Sequence, residues 1–248
     1  MRFLSGMKAV RVSGLVKRFG GSVVLKGVSF EVDEGEIFGL IGPNGAGKTT
    51  TLRVLATLLI PSAGSVEVFG LDVVKRADDV RRLISYLPEE AGVYPRLTGL
   101  EYLEFMAKFY ARDRREFEEM VDEGVKMAGL GDKIRVRTAT YSKGMKRRLL
   151  IARTLMVKPR LAILDEPTSG LDVIHAFHIR RVIKDYVKQY GLTVVLSSHN
   201  MLEVEFLCDR VAFIYDGRII AEGSPRELKD MYGAENLEEA FAKVAGLG

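Results

Sequence analysis

Residues 42–50 have the types and spacing of a phosphate-binding loop. Gly42 and Gly47 are separated by four residues, and Lys48 and Thr49 follow directly. Glycines let backbone N–H groups turn towards an anion, and the first turn of a following helix adds positive partial charge. In such a loop the lysine reaches the outer phosphates and the threonine hydroxyl binds Mg²⁺. The residues predicted to bind phosphate are Gly42, Pro43, Asn44, Gly45, Ala46, Gly47, Lys48, Thr49 and Thr50.

The sequence on both sides of this loop fits the same interpretation. Residues 37–41 are a short apolar run typical of a buried strand, and residues 51–59 are predicted to form a helix. A strand, a glycine-rich loop and a helix are the arrangement that a phosphate cradle requires. The alternative is a tight turn between strand and helix, but a plain turn requires neither Lys48 nor Thr49.

Two acidic residues, Asp165 and Glu166, follow the apolar run at residues 161–164. A buried strand of this kind brings both carboxylates to its carboxyl end, where open α/β sheets bind ligands. We expect Asp165 to hold Mg²⁺ through water, and Glu166 is positioned to polarise an attacking water. The alternative is a solvated acidic turn, which is the weaker interpretation downstream of a phosphate-binding loop.

The elements that must position these residues are predicted from the spacing of apolar residues. Alternation predicts half-buried strands at 10–12 and 28–32, and a strand at 65–69 completes an antiparallel layer. From Thr98, which is predicted to form a capping box with Glu101, the apolar residues repeat at helical spacing. The predicted segments are 7–96 for the β subdomain and the first part of the core, 97–157 for a helical subdomain, 158–224 for the rest of the core, and 225–248 for a helical tail.

Three further predictions concern the surfaces of helices. The basic runs at residues 112–115 and 146–148 are predicted to be solvated helix faces. His175 and His178 are three residues apart on a helix and could pair on a metal, but no third ligand is evident, so helix surface is the favoured interpretation. The apolar residues predicted to share one side of that helix are Ile174, Phe177, Val182, Ile183, Tyr186 and Tyr190.

The composition limits the classes of function. The chain has 248 residues, 47% of them hydrophobic, which is enough for one large domain or a core with a subdomain. The net charge of +4 is mild and does not favour a nucleic-acid partner. Cys208 is the single cysteine, so we expect no disulfide framework and a reducing cytoplasm. No apolar run approaches the roughly 18 residues of a membrane span, so we expect any spans to belong to another chain.

These motifs together resemble the nucleotide-binding subunit of ABC transporters. The resemblance rests on the phosphate-binding loop, on Asp165 and Glu166, and on residues 169–172 and 197–199, which follow the family's order over nearly the whole chain. It implies an α/β fold: a P-loop NTPase (RecA-like) core with an antiparallel β subdomain and an inserted α-helical subdomain. It also implies ATP and Mg²⁺ as cofactors.

The resemblance assigns roles to residues at the predicted site. Glu166 matches the general base, and His199 matches the histidine that contacts the γ-phosphate. Phe19 matches the aromatic residue that stacks on adenine. Each of the last two has an alternative: Phe19 as a surface or core aromatic residue, and His199 as a polar residue at the end of a strand.

The signature segment of the family corresponds to residues 141–145. Ser142 and Gly144 match the family's residues there, whereas Lys143 stands for Gly and Met145 for Gln. In the family these residues, with the loop that contains Asp172, close on ATP held by the opposite subunit. The resemblance therefore implies a homodimer, or a heterodimer with a similar subunit, with two shared sites.

A second departure from the family lies in the loop at residues 87–90. Glu89 stands where the family usually has Gln, so the implied metal ligands are Thr49, Asp165 and Glu89. This loop and the ending at residues 236–241 resemble the ABC-2 type exporter branch. They leave the substrate and the direction of transport open.

The combined prediction is a Mg-dependent ATPase that drives transport, with export the favoured direction, through a separate integral membrane permease. We expect it at the cytoplasmic face of the cell membrane as a peripheral subunit. Two alternatives stay open from the sequence. One is a soluble ABC-type ATPase in translation, repair or cluster assembly, and the other is a P-loop kinase with the helical block as a lid, against which His199 and the signature-like segment argue.

Overall fold

The computed structural model describes residues 8–246. None of the helices within these residues is both long and apolar enough to cross a membrane. The strands are β1 (Lys8–Phe19), β2 (Ser22–Asp33), β3 (Ile37–Ile41), β4 (Ala63–Val68), β5 (Leu71–Asp72), β6 (Ile84–Leu87), β7 (Leu161–Asp165), β8 (Thr193–Ser198), β9 (Arg210–Tyr215) and β10 (Arg218–Gly223). The α-helices are α1 (Lys48–Leu55), α2 (Ala77–Arg81), α3 (Gly99–Ala107), α4 (Arg114–Ala128), α5 (Lys143–Leu155), α6 (Val173–Tyr190), α7 (Met201–Leu207), α8 (Pro225–Tyr232) and α9 (Leu237–Val244).

The central sheet brings the strands that carry the predicted site side by side. Its order is β10-β9-β3-β8-β7-β6, and only β10 runs antiparallel to its neighbour among these described strands. Both faces of β3 and β7 are covered, which explains why these strands are continuous apolar runs. The carboxyl ends of β3, β7 and β8 therefore meet at one edge, where Asp165 is in register with Ser197.

A four-stranded antiparallel sheet covers one side of this core. Its order is β2-β1-β4-β5, which confirms the predicted β layer. Alternate residues of β1, such as Val10 and Val12, are buried towards the core. Phe30 of β2 stacks on Phe38 of β3 with ring centroids 5.1 Å apart, and this contact joins the two sheets.

The helical block α3–α5 lies between β6 and β7 in the chain. The capping box at its start is confirmed: the Thr98 hydroxyl accepts from the Glu101 N–H, and the Glu101 carboxylate accepts from the Thr98 N–H. Gly124 lets α4 approach its neighbours, since a Cβ there would lie 2.9 Å from Sδ of Met156. The predicted segment boundaries stay predictions, and residues 7, 247 and 248 lie outside the described part of the chain.

The predicted apolar side of α6 is wrong at its amino end. The side chains of Ile174 and Phe177 are 77% and 52% exposed, although Ile183 is buried as expected. The buried stripe includes Ala176, a small residue that carries a weak hydrophobic signal, and the two large apolar residues beside it point outwards. The buried residues of α6 are Ala176, Ile179, Ile183 and Tyr186.

The two basic runs differ in their environment. Each of the three arginines at 112–115 pairs with a glutamate four residues further along the chain, which confirms a solvated helix face there. For residues 146–148 the prediction is wrong, because Arg147 is only 7% exposed and Arg148 donates to the carbonyl of Ala128. The reason is that α5 packs against α4 on one side and against the core on the other, so few of its side chains reach solvent.

The prediction that His175 and His178 lie on a helix surface is only partly right, because both residues are partly buried against the helical block. The ring of His175 packs on Gly144, where a Cβ would lie 2.1 Å from its Cδ2. Nε2 of His178 lies 2.9 Å from the carbonyl oxygen of Met127, and burial lowers the pKa of this imidazole. Both rings therefore serve as packing contacts between α6 and the helical block.

Candidate functional site

The predicted phosphate-binding loop joins the carboxyl end of β3 to α1 and forms one wall of a cavity of about 410 Å³. Gly47 has a φ of 109°, and a Cβ there would lie 2.5 Å from Cδ2 of Leu25, so only glycine fits. Gly42 and Ala46 do not line the cavity, because Gly42 packs on the backbone of Ile214 and Ala46 is buried. The lining residues are Val24, Pro43, Asn44, Gly45, Gly47, Lys48, Thr49, Thr50, Glu89 and Glu166.

Lys48 is buried at the base of this cavity. Its Nζ donates to the carbonyl oxygen of Gly42 at 2.6 Å and lies 3.3 Å from Oε1 of Glu166. The two side chains are 6% and 5% exposed. Isolated buried charges are costly, and pairing of opposite charges offsets that cost. The Lys48 ammonium group, which is predicted to bind phosphate, therefore lies in contact with the Glu166 carboxylate, which is predicted to act as base.

Asp165 ends β7, and its carboxylate accepts hydrogen bonds from hydroxyl groups. Its Oδ1 accepts from Thr49 Oγ1 at 3.1 Å and from Ser197 Oγ at 2.6 Å. A hydroxyl and a carboxylate within hydrogen-bond distance are hard oxygen ligands, which fit Mg²⁺. Among residues 8–246 no cluster of three or more His, Cys, Asp and Glu side chains is arranged to hold a metal. Thr49 and Asp165 would therefore supply two of the ligands of a Mg²⁺ ion at this site and leave its remaining positions to other groups.

Glu166 is oriented by residues at the end of β8. Its Oε2 lies 2.8 Å from Nδ1 of His199, and its backbone N–H donates to Ser197 Oγ at 3.0 Å. The backbone of Glu166 has a φ of 48°, in the left-handed region that non-glycine residues rarely adopt. This turn swings the carboxylate away from the line of β7, which explains how two consecutive acids point to different parts of one site.

Glu89 and Phe19 differ in their relation to this cavity. Glu89 follows β6 and lines the cavity, so the structure brings it to the same site as Thr49 and Asp165. Phe19 ends β1, where its ring is about half exposed, with Nζ of Lys17 over it at 5.0 Å from the centroid. Phe19 is not among the lining residues, whereas Val24 of the next strand is.

The signature segment and Asp172 lie apart from the phosphate-binding cavity. The Ser142 hydroxyl accepts from the Met145 N–H at 3.2 Å and caps α5. The Asp172 carboxylate accepts from the His175 N–H at 2.9 Å and caps α6. Gly144 packs on the ring of His175. The structure therefore brings Ser142, Gly144 and Asp172 to one face of the chain, but not to its own phosphate-binding loop.

Two residues of the site were given no role by the sequence analysis, Ser197 and Arg147. Ser197 orients both Asp165 and Glu166, and its position directly before a Ser-His pair at the end of an apolar run was an available signal. Arg147 donates to backbone carbonyl oxygens on both sides of the site. Its burial had no signal in the sequence, because its two neighbours are also basic and the run looked solvated.

Residues 25–169 match the sequence profile of the family described as "ABC transporter". The chain belongs to this family. A relative in the ABC transporter family, the linearmycin resistance ATP-binding protein LnrL of Bacillus subtilis (strain 168), is 37% identical over 92% of this chain and 73% of its own length. The daunorubicin/doxorubicin resistance ATP-binding protein DrrA of Streptomyces peucetius is 42% identical over 93% of this chain and 69% of its own length.

Solved structures agree with this assignment. The ATP-binding subunit of an ABC transporter superposes with a TM-score of 0.85 and 29% identity, covering 96% of this chain and 99% of that one. A dimeric ATP-binding cassette in a post-hydrolysis state, bound to ADP and Pi, has a TM-score of 0.77 and 27% identity, covering 87% and 98%. The predicted P-loop NTPase fold is therefore confirmed.

Family membership also establishes the activity. The chain is an ATP-binding and ATP-hydrolysing subunit of the ABC transporter type, as predicted. The kinase alternative does not fit this family.

Proposed function

We propose that this ABC ATPase hydrolyses MgATP in the cavity lined by Lys48 and Glu166 and thereby powers export through a separate integral membrane permease. The observation that carries the proposal is the buried Glu166 carboxylate, whose two oxygens face Lys48 and His199 at the edge of the phosphate-binding loop. Export is supported by the relatives, among them an ATP-binding protein of fluoroquinolone export in Mycobacterium tuberculosis (strain CDC 1551 / Oshkosh), 41% identical over 90% of this chain and 73% of its own length.

The proposed division of labour follows from what each group can do chemically. Lys48 binds the outer phosphates. Glu166 accepts a proton from the attacking water, and His199 holds the Glu166 carboxylate in position. Thr49 and Asp165 hold Mg²⁺, with Glu89 as a further ligand. When bound, this ion neutralises charge on the phosphate oxygens. Phe19 is proposed to contact the adenine ring.

The second proposal concerns the assembly. Ser142, Gly144 and Asp172 share a face that is separate from the chain's own cavity, and the start of α5 at Ser142 is suited to an anion. We propose that this face completes the site of a second ATPase subunit, either an identical chain or a similar one. The dimeric, ADP-bound cassette among the similar structures supports this arrangement.

The contact with the permease is proposed at the start of the helical block. Tyr94, Phe105 and Phe109 form a chain of exposed aromatic rings, with centroids 5.7 Å and 5.2 Å apart. Tyr94 follows five residues after Glu89 in the chain, so a protein bound to these rings would contact the segment that continues from the loop lining the cavity. Exposed aromatic residues of this kind are typical of interfaces. The chain would then be peripheral, at the cytoplasmic face of the membrane.

The test is isolation of the native complex followed by ATPase measurement in lipid vesicles. We expect an integral membrane protein to co-purify with the chain, and hydrolysis to require Mg²⁺ and to disappear when EDTA is added. The control is the same complex with Glu166→Gln. Mg²⁺-dependent hydrolysis by a chain that binds no membrane protein would favour the soluble alternative, and absence of hydrolysis from the intact complex would contradict the proposal.

A further inference from the structure

The guanidinium group of Arg147 lies buried between two loops of the site and donates all of its N–H groups to backbone carbonyl oxygens. One loop follows β6 and the other follows β7. Nε donates to Pro167 at 2.8 Å, Nη1 donates to Pro88 at 3.1 Å and to Glu89 at 3.0 Å, and Nη2 donates to Asp165 and Glu166, both at 2.8 Å.

This arrangement uses the full donor capacity of an arginine. A guanidinium carries five N–H donors in a rigid plane and no acceptor, and here each donor meets one carbonyl oxygen. Burial lowers the pKa of Arg147, while the negative charges of Asp165 and Glu89 act in the opposite direction. An arginine stays protonated in proteins, so a positive charge is fixed beneath the two acidic segments.

The loop after β7 needs such support because its backbone is strained. Glu166 has a φ of 48°, and strained backbone of this kind persists where the surrounding structure over-determines it. Arg147 holds three consecutive carbonyl oxygens, those of residues 165–167, while Ser197 accepts the N–H of Glu166. These contacts fix the backbone from which the Glu166 side chain projects towards Lys48 and His199.

The same side chain reaches the loop that carries Glu89. The carbonyl of Glu89 is held by Nη1 of Arg147, and the side chain of Glu89 lines the phosphate-binding cavity. Any displacement of the Glu89 loop therefore acts on the Arg147 guanidinium, which also holds the Glu166 backbone. Within residues 8–246, no carboxylate fixes the guanidinium independently, since all five donors go to carbonyl oxygens of these two loops.

We propose that Arg147 is a positioning residue that links the Glu89 loop to the orientation of Glu166, so that a signal at the loop changes the rate of hydrolysis. This inference rests on the proposed function, in which Glu166 is the base and the Glu89 loop lies next to the permease. Arg147 touches neither phosphate nor water in this role. It acts through the backbone of two loops that do.

Arg148 provides a matched control on the same helix. It is partly buried, and its guanidinium, like that of Arg147, donates to backbone carbonyl oxygens, those of Ala128 and Gly129. Its partners lie at the end of α4, away from the cavity. Changing Arg148 therefore reports the cost to folding of losing a guanidinium from α5 without disturbing the link between the two loops.

The experiment compares Arg147→Lys with Arg148→Lys in the complex with the permease. A lysine has three donors on one nitrogen, so it cannot span both loops. We expect Arg147→Lys to lower kcat by about 100-fold, the scale of an angstrom-sized misplacement of a catalytic group, with the affinity for MgATP nearly unchanged. The ratio of rates with and without permease should also fall towards one. Arg148→Lys should keep both kcat and that ratio.

A second variant separates positioning from a loss of folding. Arg147→Ala leaves a space for a small cation, and we expect added methylguanidinium to raise its kcat severalfold without affecting Arg148→Ala. Wild-type kcat in Arg147→Lys would overturn the proposal, as would parallel losses of kcat and MgATP affinity without rescue. If the wild-type complex itself hydrolyses no ATP, the proposed function fails instead, so the two failures are distinguishable.

Discussion

The two regions of the chain that we propose to act on ATP differ in how their polar groups are placed. The catalytic edge, which comprises residues 42–50, 165–166 and 197–199, buries its charges and pairs them within the chain. The signature face, which comprises residues 142–144 and 172–177, exposes Ser142 and Asp172 beside the apolar side chains of Val173 and Ile174. Both acids of the catalytic edge, Asp165 and Glu166, contact polar side chains of the same chain. The signature face instead exposes polar and apolar groups to solvent.

This difference indicates which parts of the proposed mechanism one chain can complete by itself. Buried charges such as Lys48 and Glu166 are tolerated only in a fixed geometry, so the catalytic edge is organised before any partner arrives. Covering exposed apolar side chains with another protein is favourable, because it removes apolar surface from water. Changes at the catalytic edge should therefore affect the chain's own site, and changes at the signature face should affect the site of the partner subunit.

The largest effect is expected for Glu166→Gln. The amide keeps the shape of the side chain but cannot accept a proton, so we expect kcat to fall by about 1,000-fold, within the usual range for loss of a general base. Binding of MgATP should be retained, because Lys48 and the loop are unchanged. Steady-state hydrolysis and equilibrium binding measure the two quantities. Glu118→Gln, an exposed ion-pair partner on α4, is the matched control. Turnover near the wild-type rate would refute the role of Glu166.

The next largest effect tests whether the signature face completes a partner's site. Lys48→Ala disables the catalytic edge, and Ser142→Arg blocks the cap of α5, so each should abolish most hydrolysis alone. In a mixture, heterodimers contain one site in which both regions are intact. We expect activity to return towards half of the wild-type rate per heterodimer if one intact site suffices.

Heterodimer formation must be demonstrated separately, for example by co-purification through two different tags. Mixing two preparations of the same variant is the control and should restore nothing. Demonstrated heterodimers without activity would contradict independent shared sites. A cross-linked heterodimer of wild type and Lys48→Ala would then test for obligatory coupling of the two sites.

The same comparison separates what the sequence can predict from what it cannot. The catalytic edge was predicted from Lys48, Thr49, Asp165 and Glu166, because a strand followed by a glycine loop or by two acids has few structural alternatives. Arg147 was mispredicted, because a basic run has the same composition whether it faces water or carbonyl oxygens. The environment of such a residue depends on tertiary packing, which helical spacing does not encode.

The α6 helix gives a second example and a prediction of intermediate size. Ile174 and Ile179 have the same side chain, but Ile179 is buried and Ile174 faces solvent. Ile179→Ala should lower the free energy of unfolding by about 2–5 kcal/mol, as for other buried isoleucines. Ile174→Ala should change it by less than about 0.5 kcal/mol. Denaturant unfolding of the isolated chain measures both values. Equal losses in the two variants would mean that the amino end of α6 is packed in solution.

The smallest expected effect concerns Glu89, which lies between the two regions. Its side chain lines the cavity, and its carbonyl oxygen accepts a hydrogen bond from Arg147 of α5. A glutamine there can coordinate Mg²⁺ without adding charge, whereas a carboxylate adds a negative charge near Asp165, Glu166 and the phosphates. Two unit charges about 4 Å apart interact by roughly 4 kcal/mol at an intermediate effective dielectric. Attraction to the metal and repulsion from phosphate are therefore both large, and they oppose each other.

With the metal bound, attraction wins at short range, because Mg²⁺ carries two charges and prefers hard oxygen ligands. Without the metal only repulsion remains, so Glu89 should make nucleotide binding more dependent on Mg²⁺ than glutamine does. We expect Glu89→Gln to tighten binding of metal-free ATP while changing the affinity for MgATP less. Paired titrations with Mg²⁺ and with EDTA measure the ratio of the two affinities in both proteins. Equal ratios would mean that the Glu89 carboxylate is too far from the phosphates to act on them, and Glu90→Gln would show whether its neighbour takes that role.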